Sequence, residues 1–169
     1  MHNELGKDSD RSVAIVAAAL VDDVLMQLLS KKLLPAKDVN NCIYSNQSSP
    51  LGSFSSRINA LHQLGVISGS MHRDLHILRK IRNDFAHEPS DLNFESPAIK
   101  SRVLELNKES NYLEKNKIAR ENVGPQGMRY DFIFGVGWRL YSLSRDIEVI
   151  ECVPKRLAEF GYCDLGNEA

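Results

Sequence analysis

Apolar residues recur along this chain at three- and four-residue steps, and nowhere in sustained alternation. That period gathers side chains on one face of a helix rather than one face of a strand. Asp8, Ser9 and Asp10 offer N-caps, after which Val13, Val16, Ala17, Leu20, Val24 and Leu28 trace a stripe running to about Leu34. Val21, Leu25 and Leu29 widen it, so this first helix is expected to be buried on more than one side. Lys31 and Lys32 suit the negative end of its dipole, and Pro35 ends it.

Val39 to Pro50 is polar and reads as a loop. The spacing of Phe54, Ile58, Leu61 and Leu64 predicts a second helix over Gly52 to Leu64, stopped by Gly65. Ser68-Gly69-Ser70 opens a third, which runs to His87 ahead of Pro89. Leu51 to His87 is therefore expected to be a helical hairpin at the centre of the fold. Ser96-Pro97 is a cap followed by proline in the first turn, predicting a fourth helix to about Leu106. Asn107 to Gln126 is rich in Lys, Glu and Asn and reads as a solvated loop or frayed helix. After Gly127 a last helix is expected to run to about Val153, with Phe132, Val136, Leu140, Leu143, Ile147 and Ile150 inward. The class is all-α: one domain over residues 1–169, a bundle of about five helices.

Composition narrows the function classes. The 169 residues are 43% hydrophobic and 25% charged, values of an ordinary globule able to bury a core. A formal net charge of −1 excludes a surface built throughout to coat nucleic acid, so any RNA or DNA contact must come from a local patch or a symmetric dimer. Cys42, Cys152 and Cys163 lack metal-ligand spacing and read as reduced cytosolic thiols. No charged-then-apolar leader opens the chain, and Asp22-Asp23 closes the longest apolar run, Val13 to Val21. The expectation is a cytoplasmic protein without a membrane span.

The chemistry concentrates in Arg82-Asn83-Asp84-Phe85-Ala86-His87, which closes the third helix. On a wheel of about 100° per residue, Met71, Leu75, Leu78 and Phe85 share an arc, and Arg82 falls within it. A guanidinium there must be paired or must reach a cleft, because burying it alone is prohibitive. Asp22 and Asp23 are the candidate partners. His72, His76, Arg79 and Asn83 gather with His87 on the neighbouring arc, and with Arg57 of the second helix they make a candidate binding surface. One reading is a phosphate-facing site, with Arg82 stabilising charge and His87 acting as general acid or base. The other is architectural, with Arg82 paired to a buried carboxylate and His87 bonded to a helix-end carbonyl. Structural ion pairs are the commoner of the two.

Other signatures are weaker. His72 and His76 have the i, i+4 spacing of a helical metal pair, but Arg73 stands where the protease arrangement needs Glu and no third ligand is evident. No metal and no cofactor are expected. Arg57 to Arg79 has the outline of a helix-turn-helix, yet Asp74 lies where the recognition helix should bury an apolar residue. Gly135-Val136-Gly137 lacks the third glycine of a dinucleotide loop and reads as a place for close helix packing.

Pro50-Leu51-Gly52, Phe54-Ser55-x-Arg57-Ile58, Leu64-Gly65-Val66-Ile67, Asp74-Leu75 and Arg82 to His87 form an ordered series. Over about Pro50 to Phe94 that series resembles the mannitol operon repressor family. The resemblance implies an all-α transcriptional regulator without an obvious DNA-binding motif, acting through protein partners or weak nucleic-acid contacts. Arg, a polar residue directly after it, and His after four intervening residues is also similar to the motif of HEPN ribonucleases. That second resemblance implies a homodimer whose paired motifs line one cleft, with Arg82 and His87 catalytic and Asn83 supporting them. The implied reaction is metal-independent RNA cleavage, the 2′-hydroxyl attacking the adjacent phosphate. The two readings separate on Arg82 and His87: a nuclease needs both reachable across a shared cleft, whereas a scaffold can bury Arg82 and leave His87 at a helix end.

Overall fold

Ser9 starts the first helix by accepting from the Ser12 N–H at 3.1 Å, which satisfies one of the donors a helix leaves open at its N-terminus. The computed structural model describes residues 9–36, 42–44, 46, 48–87, 92–108 and 127–154. In these the chain forms α1 (Asp10–Lys32), α2 (Phe54–Gln63), α3 (Gly69–His87), α4 (Pro97–Asn107) and α5 (Met128–Val149), with no strand among the described residues. The all-α bundle and its five helices follow the periodicity. The expected loop or frayed helix at 107–126 lies outside the described residues beyond Lys108, as do Pro89 and Cys163.

Local chemistry sets the helix ends. Ser53 and Ser56 form a reciprocal capping box at the start of α2. Gly65 takes φ +68°, and the Val66 N–H returns to the Leu61 carbonyl at 2.9 Å, so α2 stops where a residue without Cβ permits it. Ser68 then caps α3 through the Met71 N–H at 3.1 Å. The last helix ends at Val149, short of the expected Val153, because the Val153 N–H bonds the Lys32 carbonyl at 2.8 Å and draws the chain across the end of α1.

α1 is the hub, packing on α5, α3 and α2. It runs parallel to α5: Arg129 pairs with Asp10 at the starts, and Lys31 Nζ donates to the Ile147 carbonyl at the ends. It is long and apolar enough to cross a membrane by composition, but its inner side is core. The expected stripe needs correction. Ala14, Ala18, Val21, Leu25, Leu28 and Leu29 face inward, whereas Val16 and Leu20 are 56% and 54% exposed. An almost continuous apolar run fits several faces equally well, and the packing of α3 and α5 selects one about 150° from Val16.

The core continues through Phe54, Ile58 and Leu61 of α2, Leu75, Ile77, Leu78, Ile81 and Phe85 of α3, Ile99, Val103 and Leu106 of α4, and Phe132, Val136 and Leu143 of α5. Phe85, Phe94 and Phe132 stack in series with centroids 5.0 and 4.8 Å apart. Ile77 and Ile81, absent from the expected face of α3, shift that face away from Arg82. Gly135 admits α4: a Cβ there would sit 2.1 Å from Asn107 Oδ1, while one at Gly137 would meet nothing within 4 Å. Close packing therefore holds for the first glycine and not the second.

Ion pairs tie the helices of this frame together. Arg139 of α5, 2% exposed, donates through Nε to Asp74 Oδ2 at 3.1 Å and through Nη2 to the same oxygen. It also donates to the Gly135 carbonyl at 2.6 Å and to the Leu106 carbonyl at the end of α4. Asp74 is thus buried because a guanidinium meets it, which is why it breaks the helix-turn-helix pattern. Another pair, Arg102 with Asp84, joins α4 to α3.

Candidate functional site

Arg57 is the first residue the structure relocates. Instead of standing on a binding surface it is 8% exposed, with Nη1 2.7 Å from Asp22 and its other donors on the Leu51 and Gly52 carbonyls at 3.1 and 3.0 Å. The guanidinium fastens the loop before α2 to α1, and all its chemistry is used internally. This pairing consumes Asp22, a carboxylate expected for Arg82. The other, Asp23, is exposed and accepts from the Gln27 amide at 2.8 Å.

Among the described residues Arg82 consequently has no ion pair. It is half-buried, and among the described residues its one hydrogen bond runs from Nη1 to Asn83 Oδ1 at 3.0 Å. It lines a groove of about 330 Å³ with Ile15, Ala18, Ala19 and Asp22 of α1, Phe54 of α2 and Ala86 of α3. His87 is exposed at the last position of α3. Arg82 and Asn83 therefore stand together beside an apolar groove, with His87 one and a half turns further on. A cation on apolar walls can hold an anionic group there with less competition from water than on an open surface.

The remaining candidates form a second cluster, across the α2–α3 hairpin. His72 Nε2 and His76 Nε2 lie 3.0 and 2.9 Å from the same atom, Asn59 Oδ1. One amide oxygen only accepts, so both rings carry a proton on Nε2. The His62 ring stacks on His72 at 4.5 Å, and its Nδ1 donates to the Ile67 carbonyl at 3.2 Å. Burial holds the His76 pKa below its ordinary value, and the charges of His72, Arg79 and Lys80 add to the shift. His72 and His76 are half-buried and His62 is exposed, and the three rings are mutually engaged rather than free on the surface. Among the described residues no three His, Cys, Asp or Glu side chains are arranged to hold a metal ion.

Three contributors escaped the sequence reading. Asn59 has no signal in sequence, since an exposed Asn on a helix is commonplace. Arg139 had one: it sits on the apolar arc of α5, where the rule applied to Arg82 demands a partner. Asp74 stands in the sequence as an obstacle to the helix-turn-helix and as part of the family series, with nothing there to mark it as the partner of Arg139.

The whole helical frame corresponds to a known one. The mannitol repressor family model matches residues 10–151, spanning all five helices. No curated protein matches. Among solved structures, the chain is similar in fold to one in the X-ray structure of the MtlR-HPr complex from Escherichia coli. The TM-score is 0.59 at 20% identity, covering 82% of this chain and 92% of that one. With the family model extending over most of the chain, this protein belongs to the mannitol repressor family.

Proposed function

We propose that this chain is a cytoplasmic regulator of mannitol-operon type that works through a protein partner, and that the partner is HPr. The observation that carries the reading is family membership across residues 10–151; the fold it shares with a chain from an MtlR-HPr complex supports the choice of partner. Surface chemistry agrees. The net charge is −1, and α5 exposes Trp138 and Tyr141 rather than a basic stripe. Apolar and aromatic anchors are the usual centres of protein interfaces, whereas direct DNA readout needs dense phosphate contacts.

Calorimetric titration of the chain with purified HPr tests this. Saturable one-to-one binding at about 1 µM or tighter, with weak dependence on salt, is expected. No heat and no co-elution at concentrations of about 100 µM would overturn the partner. Tight binding to operator DNA that collapses on adding salt would replace it with direct nucleic-acid recognition.

A second reading has one observation behind it. Arg82 lines a groove beside Asn83 and is spared the carboxylate that would have neutralised it, as HEPN-type RNA cleavage by Arg82, Asn83 and His87 requires. Cleavage of a mixed RNA pool in EDTA, lost in His87→Ala with helical content unchanged, is the expected result under that reading. An RNA pool left intact by the wild type removes it.

A further inference from the structure

The side of α1 turned away from the bundle is apolar where a solvated helix face is normally polar. Ile15 is 39% exposed, beside the still more exposed Val16 and Leu20. At about 100° per residue, Ser12, Ile15, Val16, Ala19, Leu20 and Asp23 share this face, opposite the buried Ala14, Val21 and Leu25. Val16 and Leu20 protrude on one shoulder of a low crest formed by Ala19. The groove lined by Ala18, Phe54, Ala86 and Arg82 opens on the other. One patch therefore carries both an apolar projection and a hollow large enough for an aliphatic side chain, walled by Ile15, Ala18 and Phe54 with Arg82 and the Arg57-paired Asp22 at its sides.

Its charges are paired in the same manner. Among the described residues Asp23, exposed, is bonded only to a neutral amide, and so is Arg82, half-exposed. A face with projection and hollow, carboxylate and guanidinium, is complementary to itself, which is the requirement for a two-fold contact. A lipid surface would bring both charges against hydrocarbon without a partner. A partner of one sign would satisfy only half of the face.

We propose that this face binds a second copy of the chain. Val16 and Leu20 of each copy cover the groove of the other, and each Asp23 meets Arg82 of the other copy. The contact is separate from the HPr reading and stands or falls without it.

Analytical ultracentrifugation of the full chain decides the matter, with circular dichroism confirming that each variant keeps its helical content. Wild type is expected to sediment at twice the chain mass at about 50 µM. Leu20→Glu, a change at an exposed position that leaves the core intact, weakens association about a hundredfold. Asp23→Arg and Arg82→Asp each weaken it about tenfold, and the double exchange restores most of the loss because the pair is rebuilt with its signs reversed. A monomeric wild type overturns the proposal, and so does a dimer indifferent to Leu20→Glu. A double exchange that is weaker than either single variant overturns the Asp23–Arg82 contact. A wild type that stays monomeric but pellets with phosphatidylglycerol vesicles assigns the face to lipid instead.

Discussion

Replacing Asp74 with Ala should be among the most damaging single changes available in this protein. The substitution removes the carboxylate that receives two donors of Arg139 and leaves a guanidinium, 2% exposed, with only the Gly135 and Leu106 carbonyls for company. Breaking a buried pair from one side costs about 3–5 kcal/mol, since the surviving charge keeps its desolvation penalty and loses its compensation. For a domain of this size, about 2–4 °C of melting temperature accompanies each kcal/mol, so a fall of roughly 10 °C is expected. Arg139→Met should cost less, about 2–3 kcal/mol, because Asp74 retains Arg73 at 2.8 Å at the solvent edge while the Leu106 carbonyl is left unpaired. The double variant Asp74→Leu, Arg139→Met should be clearly less damaging than the sum of the two. Urea denaturation followed at 222 nm measures all three. A loss below about 1 kcal/mol for Asp74→Ala would refute the reasoning, because it would mean that Arg139 finds water or another anion at no cost.

The other expectations are smaller and independent. His76 is held below its ordinary pKa by burial and by the charges of His72, Arg79 and Lys80, so the unfolded chain takes up that proton at higher pH than the folded one. Its contribution makes stability fall as pH drops through about 6.5, and His76→Gln should flatten the urea midpoint between pH 7.5 and 5.5. Gly135→Ala should destabilise by about 1–3 kcal/mol through overlap with the Asn107 side chain, which is tied to the Asp131 carbonyl at 2.9 Å. Gly137→Ala, with open space at the same Cβ position, should instead stabilise by about 0.5–1 kcal/mol. Thermal melts of the two glycine variants should therefore move in opposite directions. Ser53→Ala dismantles the capping box of α2 and should cost about 1 kcal/mol in the same denaturation assay.

The candidate site shows how far a one-dimensional pattern reaches. Arg82 was legible as an anomaly because a charge on an apolar arc is visible on a helical wheel. Its fate was not legible, since Asp22 and Asp23 are adjacent in sequence and only packing tells which of them turns inward, and toward which arginine. Arg57 took Asp22 from a position 35 residues away, and Arg139 took Asp74 from 65 away. The shared acceptor of His72 and His76 depends on Asn59, which α2 delivers only once the hairpin has closed.

The place of the five described helices, the caps at Ser9 and Ser68, the stop at Gly65 and the hydrophobic composition of each described helix were written in the chain itself. These depend on residues within a few positions of one another, and their energies act before any helix meets its neighbours. The inward face of α1, the pairing of each buried arginine and the exposure of the Arg82 groove were decided by the assembled bundle. A helix apolar on most of its circumference has no preferred side until α3 and α5 cover one. A buried cation likewise takes whichever carboxylate the packing brings within reach, because the penalty for leaving it alone exceeds any local preference.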